Sequence, residues 1–133
     1  PTLAQRLQDV GYRTILCGKA HLGAIGTPGA DPRNLGFDVN IAGHAAGGPG
    51  SYHGEKNFSA AWRKGGPIWD VPGLEKYHGQ KINLTEALTR EAIGELEKAA
   101  ERAREIDPAF SGLLFWPVIY LLLRYMRRAY QVS

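Results

Sequence analysis

A lysine and a histidine stand one residue apart in a short segment bounded by glycines. Gly18 and Gly23 flank the sequence Lys-Ala-His-Leu, so Lys19 and His21 alternate in a predicted loop. A lysine offers a compact cation to the oxygens of a tetrahedral anion, and an imidazole can donate or accept a proton. Lys19 and His21 are therefore the candidate catalytic pair. Two solvated polar residues in a turn are the alternative interpretation of the same short pattern.

Two further histidines flank a glycine-rich loop. His44 and His53 stand on either side of Gly47-Gly48-Pro49-Gly50, and loops of this composition commonly carry binding residues. We predict that both histidines contact a substrate. Exposed loop histidines without a ligand are the alternative.

The elements around Lys19 predict α/β architecture. Thr2 and Gln5 have the spacing of a capping box, and apolar residues then recur at helical spacing until Gly11. Arg13–Cys17 ends in a brief apolar run, which favours a buried strand. Cys17 is accordingly predicted to be a buried strand thiol and not a nucleophile. Ligands of open α/β sheets bind beyond the carboxyl ends of the strands. Lys19 comes directly after the predicted strand and is therefore expected near such a ligand.

Glycine and proline dominate residues 18–79, which predicts a long segment without regular elements of any length. Six aromatic residues indicate that the segment is packed: Phe37, Tyr52, Phe58, Trp62, Trp69 and Tyr77. Turn chemistry accounts for its three isolated aspartates, Asp31, Asp38 and Asp70. His78 stands in no recognisable pattern. An amphipathic helix is then predicted from Thr85 to about Glu105, capped by Asn83 or Thr85.

Composition narrows the function classes. The chain has 133 residues, 44% of them hydrophobic and 22% charged, which is typical of a globular protein and excludes wholesale disorder. The net charge of +3 does not indicate a nucleic-acid partner. The single cysteine excludes an internal disulfide and a multi-cysteine zinc site. The chain starts at Pro1 without a leader sequence, so we expect an internal fragment of a longer gene product.

The order of several motifs resembles the sulfatase family. One sulfatase signature consists of a helix, Gly-Tyr, a strand and Gly-Lys-x-His-Leu-Gly, and it resembles Thr2–Leu7, Gly11–Thr14 and Gly18–Gly23 in that order. Ala20 stands where the family more often has Trp. Asn34–Asp38 and Gly43–Tyr52 resemble the Gly-Phe-Asp and the substrate loop that follow. The resemblance extends from Pro1 to about Phe110 and includes the helix that starts near Leu84.

The resemblance implies a fragment of an alkaline-phosphatase-like α/β/α sandwich that hydrolyses sulfate esters of glycans or aryl alcohols. Lys19 would neutralise the sulfate oxygens, and His21 would orient a hydrated formylglycine nucleophile. Calcium is the expected cofactor. The formylglycine motif and the calcium ligands are absent from these 133 residues, so we predict no metal ligand here and expect the isolated fragment to be inactive. A periplasmic or extracellular location is expected from the same resemblance.

Two other functions remain open. A phosphate or phosphonate monoester hydrolase of the same superfamily would use Lys19 and His21 in the same way, since both residues suit any tetrahedral anion. The alternative that is not an enzyme is a non-catalytic truncated module with a membrane-associating tail. The apolar run in the tail is shorter than the roughly 20 residues of a spanning helix and contains Pro117, so a membrane partner is not favoured.

The domain boundary is predicted near residue 110, with a partial sulfatase domain over 1–110 and an apolar and basic tail over 111–133. Asp107–Phe110 begins the family's next strand pattern, and the sequence then departs from it. The motif Val-His-x-Pro, which the resemblance leads us to expect here, can be spelled by codons of Arg124–Arg128 read from their third nucleotide. We hypothesise a reading-frame shift shortly after Phe110.

The gene's nucleotide sequence tests this hypothesis. We expect the codons of Arg124–Arg128 to read Val-His-x-Pro in another frame, because the motif is due at this position. Codons that cannot spell it would refute the frameshift and return the tail to the membrane-anchor interpretation.

Overall fold

The computed structural model describes residues 1–106, and it is a mixed α/β structure. Two helices, α1 (Leu3–Asp9) and α2 (Leu84–Ile106), accompany two strands, β1 (Ile15–Cys17) and β2 (Val39–Ile41). Six short 3-10 turns lie between β1 and α2. The chain divides into two compact units, Pro1–Glu91 and a second that begins at Ala92. The tail 111–133, its frameshift and the boundary near residue 110 lie outside the described residues.

Helix α1 begins as its sequence predicts. The Thr2 hydroxyl accepts a hydrogen bond from the Gln5 N–H at 3.1 Å, and the Thr2 N–H donates to the Gln5 side chain at 2.7 Å, which completes the capping box. The Thr2 hydroxyl also donates to the Leu35 carbonyl at 2.5 Å. Gly11 then adopts a φ of +86°, a conformation that side chains disfavour, and turns the chain toward β1.

The two strands form a parallel pair in which Ile15 faces Val39 and Cys17 faces Ile41. The sequence predicted β1 but not β2, because three residues among turn formers carry too little periodicity to be recognised. A parallel pair needs a crossover connection between its strands, and residues 18–38 supply it with turns instead of a helix.

A hydrogen-bonded cluster of Thr14 and Asp38 sets the entry to both strands. The Asp38 carboxylate accepts bonds from the Thr14 N–H at 2.8 Å and from the Thr14 hydroxyl at 3.0 Å, and the Gln8 amide donates to its other oxygen at 2.7 Å. The Asp38 and Val39 N–H groups donate to the Thr14 carbonyl. The prediction that Asp38 serves only its own turn is therefore wrong, because its partners lie 24 and 30 residues earlier.

The core of the first unit forms between β2, the loop segment and the start of α2. Phe58 and Leu74 are fully buried at its centre, with Ile41 and Ala87 beside them. Of the aromatic residues expected to pack, Phe58 and Tyr77 are buried, Phe37 and Trp69 are half-buried, and Tyr52 and Trp62 are exposed. The expectation of packing is confirmed for part of the set only.

Helix α2 matches the predicted range closely. Asn83 caps it, since its side-chain oxygen accepts a hydrogen bond from the Thr85 N–H at 2.9 Å. Leu84 is buried and Leu88 half-buried on the predicted stripe, whereas Leu96 is 51% exposed. Within residues 1–106, neither helix combines the length and apolar character needed to cross a lipid bilayer.

The predicted burial of Cys17 is wrong, because the residue is exposed. It is the last residue of β1, which has one neighbouring strand in the described part of the chain. The Cys17 Sγ lies 3.5 Å from the Leu88 carbonyl oxygen. Partial burial of the thiol, helped by the nearby Glu91 charge, raises its pKa, so the thiol stays protonated near neutral pH.

Asp38 makes the stability of the fold sensitive to acid. Its hydrogen bonds from Thr14 and Gln8 hold the pKa of the carboxyl below its ordinary value of 3.8. On acidification the unfolded chain therefore binds the proton first, so the contribution of Asp38 is present above the unfolded-state pKa of 3.8 and is lost as the pH falls through the lower pKa of the folded state. We expect Asp38→Asn to lower the melting temperature at pH 7 and to weaken its fall in acid.

Thermal unfolding monitored by circular dichroism between about pH 7 and pH 2.5 checks this expectation. Asp9→Asn, on the exposed surface of α1, is the matched control and should change neither the melting temperature nor its pH dependence. Equal acid sensitivity in wild type and Asp38→Asn would contradict the assignment.

Candidate functional site

The loop after β1 presents Lys19 and His21 in the alternation that the sequence predicts. The Gly18 N–H donates to the Ile41 carbonyl at 2.9 Å and so continues the strand pairing to the start of the loop. Ala20 is buried, while Lys19 and His21 on either side of it are exposed. The buried methyl group anchors the loop and leaves both polar side chains accessible.

The loop after β2 brings His44 to the same end of the strand pair. Its tight turn is closed by the Asn40 side chain, which accepts from the Gly43 N–H at 3.0 Å and donates to the Gly43 carbonyl at 2.8 Å. A methyl group at position 43 would overlap the side chains of Leu16 and Asn40. A larger residue there would displace the end of the Asn40 side chain and disturb the clamp that fixes where His44 leaves the turn.

Lys19 and His44 line one small pocket, of about 50 Å³. Ala42, Gly48, Pro49, Val71, Leu84 and Leu88 complete its wall. A single water needs roughly 10–15 Å³ of such space, so a small polyatomic group has room here. An apolar wall with one ammonium and one imidazole suits a compact anion, because the low polarity strengthens attraction between opposite charges.

His44 is held as a neutral acceptor. Its Nδ1 accepts a hydrogen bond from the Ala46 N–H at 3.1 Å. Burial lowers the pKa of the imidazole, the Asp70 carboxylate opposes that shift, and the His21 side chain adds to it. His21 is therefore within electrostatic reach of His44, and three of the four predicted site residues gather at this end of the strands.

His53 lies apart from this group. It is exposed, its backbone forms an antiparallel bridge with Asn83, and its N–H donates to the Ser51 hydroxyl at 3.1 Å. His53 does not line the pocket that Lys19 and His44 share. Its role in substrate binding stays a prediction.

Sequence reasoning missed two contributors to the site. Asn40 was overlooked because an Asn-x-x-Gly clamp resembles any polar turn, and Asp70 was assigned to turn chemistry although its charge acts on His44, 26 residues before it. Residues 1–106 contain no group of three or more His, Cys, Asp or Glu side chains placed to hold a metal ion. The described residues thus do not fit a calcium site.

Comparison with characterised proteins bears on what this geometry serves. A stretch of 41 residues, 31% of the chain, is 46% identical to a protein of Klebsiella aerogenes. That protein is an arylsulfatase. The stretch corresponds to 8% of the arylsulfatase's length, and no family model matches the chain. The similarity points weakly to a sulfatase-like hydrolase and carries no information on the pocket residues.

The electrostatic contact between His44 and Asp70 can be measured directly. We expect the pKa of His44 to lie below 6.5 and to fall further in Asp70→Asn, because the opposing carboxylate charge is lost. NMR titration of the imidazole resonances, assigned with His44→Gln, gives both values. Asp9→Asn should leave the pKa of His44 unchanged, and a value above 6.5 or one unaffected by Asp70→Asn would contradict the geometry.

Proposed function

We propose that this chain contributes the sulfate-binding part of the active site of a sulfuric ester hydrolase related to the sulfatases. The observation that carries the proposal is the shared pocket of Lys19 and His44, with His21 beside it, at the carboxyl end of two parallel strands. The partial similarity to an arylsulfatase supports the same reaction class.

Each side chain has a distinct task in this proposal. The Lys19 ammonium balances the negative charge that builds on the sulfate oxygens in the transition state. His21 hydrogen-bonds to the nucleophile and holds or moves its proton. His44, as a neutral imidazole against an apolar wall, contacts the bound ester without adding a second fixed cation. His53 would contact only the outer part of a larger substrate.

The nucleophile and the metal belong to other segments in this proposal. The sulfatase resemblance implies a hydrated formylglycine as the nucleophile and calcium as the metal. In this proposal both come from outside the chain, because its sequence lacks the motifs that the resemblance leads us to expect for them. A periplasmic or extracellular location is part of the same proposal.

The finer fold assignment is also part of the proposal. We infer that β1 and β2 are neighbouring strands of a larger parallel sheet in an alkaline-phosphatase-like α/β/α sandwich. Parallel sheets are normally covered on both faces. In such a sheet a further strand or helix would cover Cys17, which accounts for an apolar strand end that is exposed here.

The function is tested by removing the cation. In the full-length gene product we expect Lys19→Ala to lower kcat/KM for 4-nitrophenyl sulfate by about 30- to 10³-fold, or roughly 2–4 kcal/mol, as for loss of a group that stabilises an oxyanion. Lys81→Ala is the matched control, because Lys81 is an exposed lysine that lines neither the pocket nor its approach loop.

A wild-type value of kcat/KM in Lys19→Ala would refute the assignment of Lys19 to the sulfate oxygens. The same assay with 4-nitrophenyl phosphate separates the two hydrolase classes, because a phosphate monoester hydrolase would turn over that ester faster than the sulfate.

A further inference from the structure

A second, larger pocket adjoins the first. It has a volume of about 400 Å³, and Val71, which is 4% exposed, lines both pockets. Its other walls include five polar side chains, namely Asn57, Ser59, Asp70, Glu75 and His78. Asp70 lines the second pocket, and its carboxylate charge raises the pKa of His44 in the small pocket. A ligand held in the small pocket would extend past Val71 into the larger one.

Four of the five polar side chains of this pocket accept a hydrogen bond from a backbone N–H. Four backbone N–H groups hold them: Gly79 to Asn57 Oδ1 at 3.0 Å, Ala61 to Ser59 Oγ at 3.0 Å, Ala60 to Asp70 Oδ1 at 3.4 Å, and Gly73 to Glu75 Oε1 at 2.9 Å. The bonds to Asn57 and Asp70 each use one oxygen of the side chain, Oδ1 in both residues. These groups are held in place while an acceptor or donor stays available, which reduces the entropy lost on binding.

A strained backbone supports the same wall. Asn57 and Phe58 adopt consecutive positive φ values of 55° and 51°, although Phe58 is bulky and fully buried. The His78 ring lies against Phe58 with centroids 6.4 Å apart. Strain of this kind persists only where surrounding packing enforces it, and it is concentrated at functional sites. Asn57 and Ser59, on either side of Phe58 in the sequence, both line the second pocket.

The charge of the pocket selects among ligands. Its charged groups are the carboxylates of Asp70 and Glu75, and no lysine or arginine lines it. Backbone N–H groups of Glu75 and Gly73 hold the pKa of the Glu75 carboxyl below its usual range, so it is ionised at neutral pH. Carboxylates accept hydrogen bonds from hydroxyl groups and repel a second anion. An aromatic ring bound beside them would remove water from the carboxylates without replacing its hydrogen bonds, which costs free energy.

We propose that this second pocket binds the hydroxyl-rich alcohol part of the ester, so that the substrate class is a sulfated sugar rather than an aryl sulfate. The identity of the ester group rests on the proposed function, whereas binding of a polyol in the second pocket does not. Hydroxyl groups of the sugar donate to Asp70 and Glu75 and accept from the Asn57 amide. The sulfate group lies across Val71, beside Lys19 and His44.

The full 133-residue chain, labelled with ¹⁵N, allows the two pockets to be observed separately by NMR. The Ala46 amide, which donates to His44, reports on the small pocket, and the Gly73 and Gly79 amides report on the second pocket. The probes are inorganic sulfate, D-glucose, D-glucose 6-sulfate and phenyl sulfate. We expect sulfate to shift Ala46, glucose to shift Gly73 and Gly79, and glucose 6-sulfate to shift all three.

Glucose 6-sulfate should bind about tenfold more tightly than phenyl sulfate, the factor expected from one or two additional hydrogen bonds. Glu75→Gln should weaken the binding of glucose 6-sulfate several-fold and leave the binding of inorganic sulfate unchanged. Glu55→Gln is the matched control, since Glu55 is exposed and does not line the second pocket. The spectra themselves show whether each variant is folded.

The outcomes separate the two proposals. If sulfate shifts Ala46 while glucose leaves Gly73 and Gly79 unmoved, or if phenyl sulfate binds as tightly as glucose 6-sulfate, the sugar pocket is refuted and the sulfate pocket stands. If glucose shifts the second pocket while sulfate leaves Ala46 unmoved, the polyol site stands and the sulfatase proposal falls. No shift with any probe overturns both.

Discussion

The bonds between Thr14 and Asp38 fix the parallel register of β1 and β2, and the candidate site depends on that register. Because the strands are parallel and paired from Ile15 and Val39 onward, both strands end at the same edge of the sheet. The loops that carry Lys19 and His44 therefore start side by side. A slip of one residue would turn every side chain of one strand to the opposite face and separate the two loops. Two three-residue strands form few backbone hydrogen bonds with each other. The side-chain hydrogen bonds just before the strands therefore do much to determine their register.

The helices could be predicted from the sequence because their signals are local. The capping box at Thr2, the glycine at position 11 and the apolar stripe that starts at Leu84 each lie within a few residues of the feature they determine. Strand β2 could not be predicted, because its partner lies 24 residues earlier and its three residues carry no period. Asp38 was misread for the same reason, and Cys17 was misread because an apolar strand end is normally covered by a neighbour.

The candidate site was partly predictable. Lys19 and His21 were recognised from type, spacing and a family resemblance, and the structure adds that His44 shares their end of the sheet. Asn40 and Asp70 could not be recognised in advance, since their effects depend on contacts across the fold that no local pattern records. His78 illustrates this most clearly: it has no sequence context, yet it packs on Phe58 and lines the second pocket.

Val71 separates the two pockets, and its shape has a geometric consequence. A β-branched side chain has little freedom about its first torsion, and Val71 is 4% exposed, so its position in the wall between the pockets is well defined. The distance between the two pockets is then set by where the backbone places Val71. In the proposed two-pocket arrangement, Val71 would set how far along a ligand the second recognised group must lie, so sulfated sugars that differ only in the position of the sulfate would differ in fit.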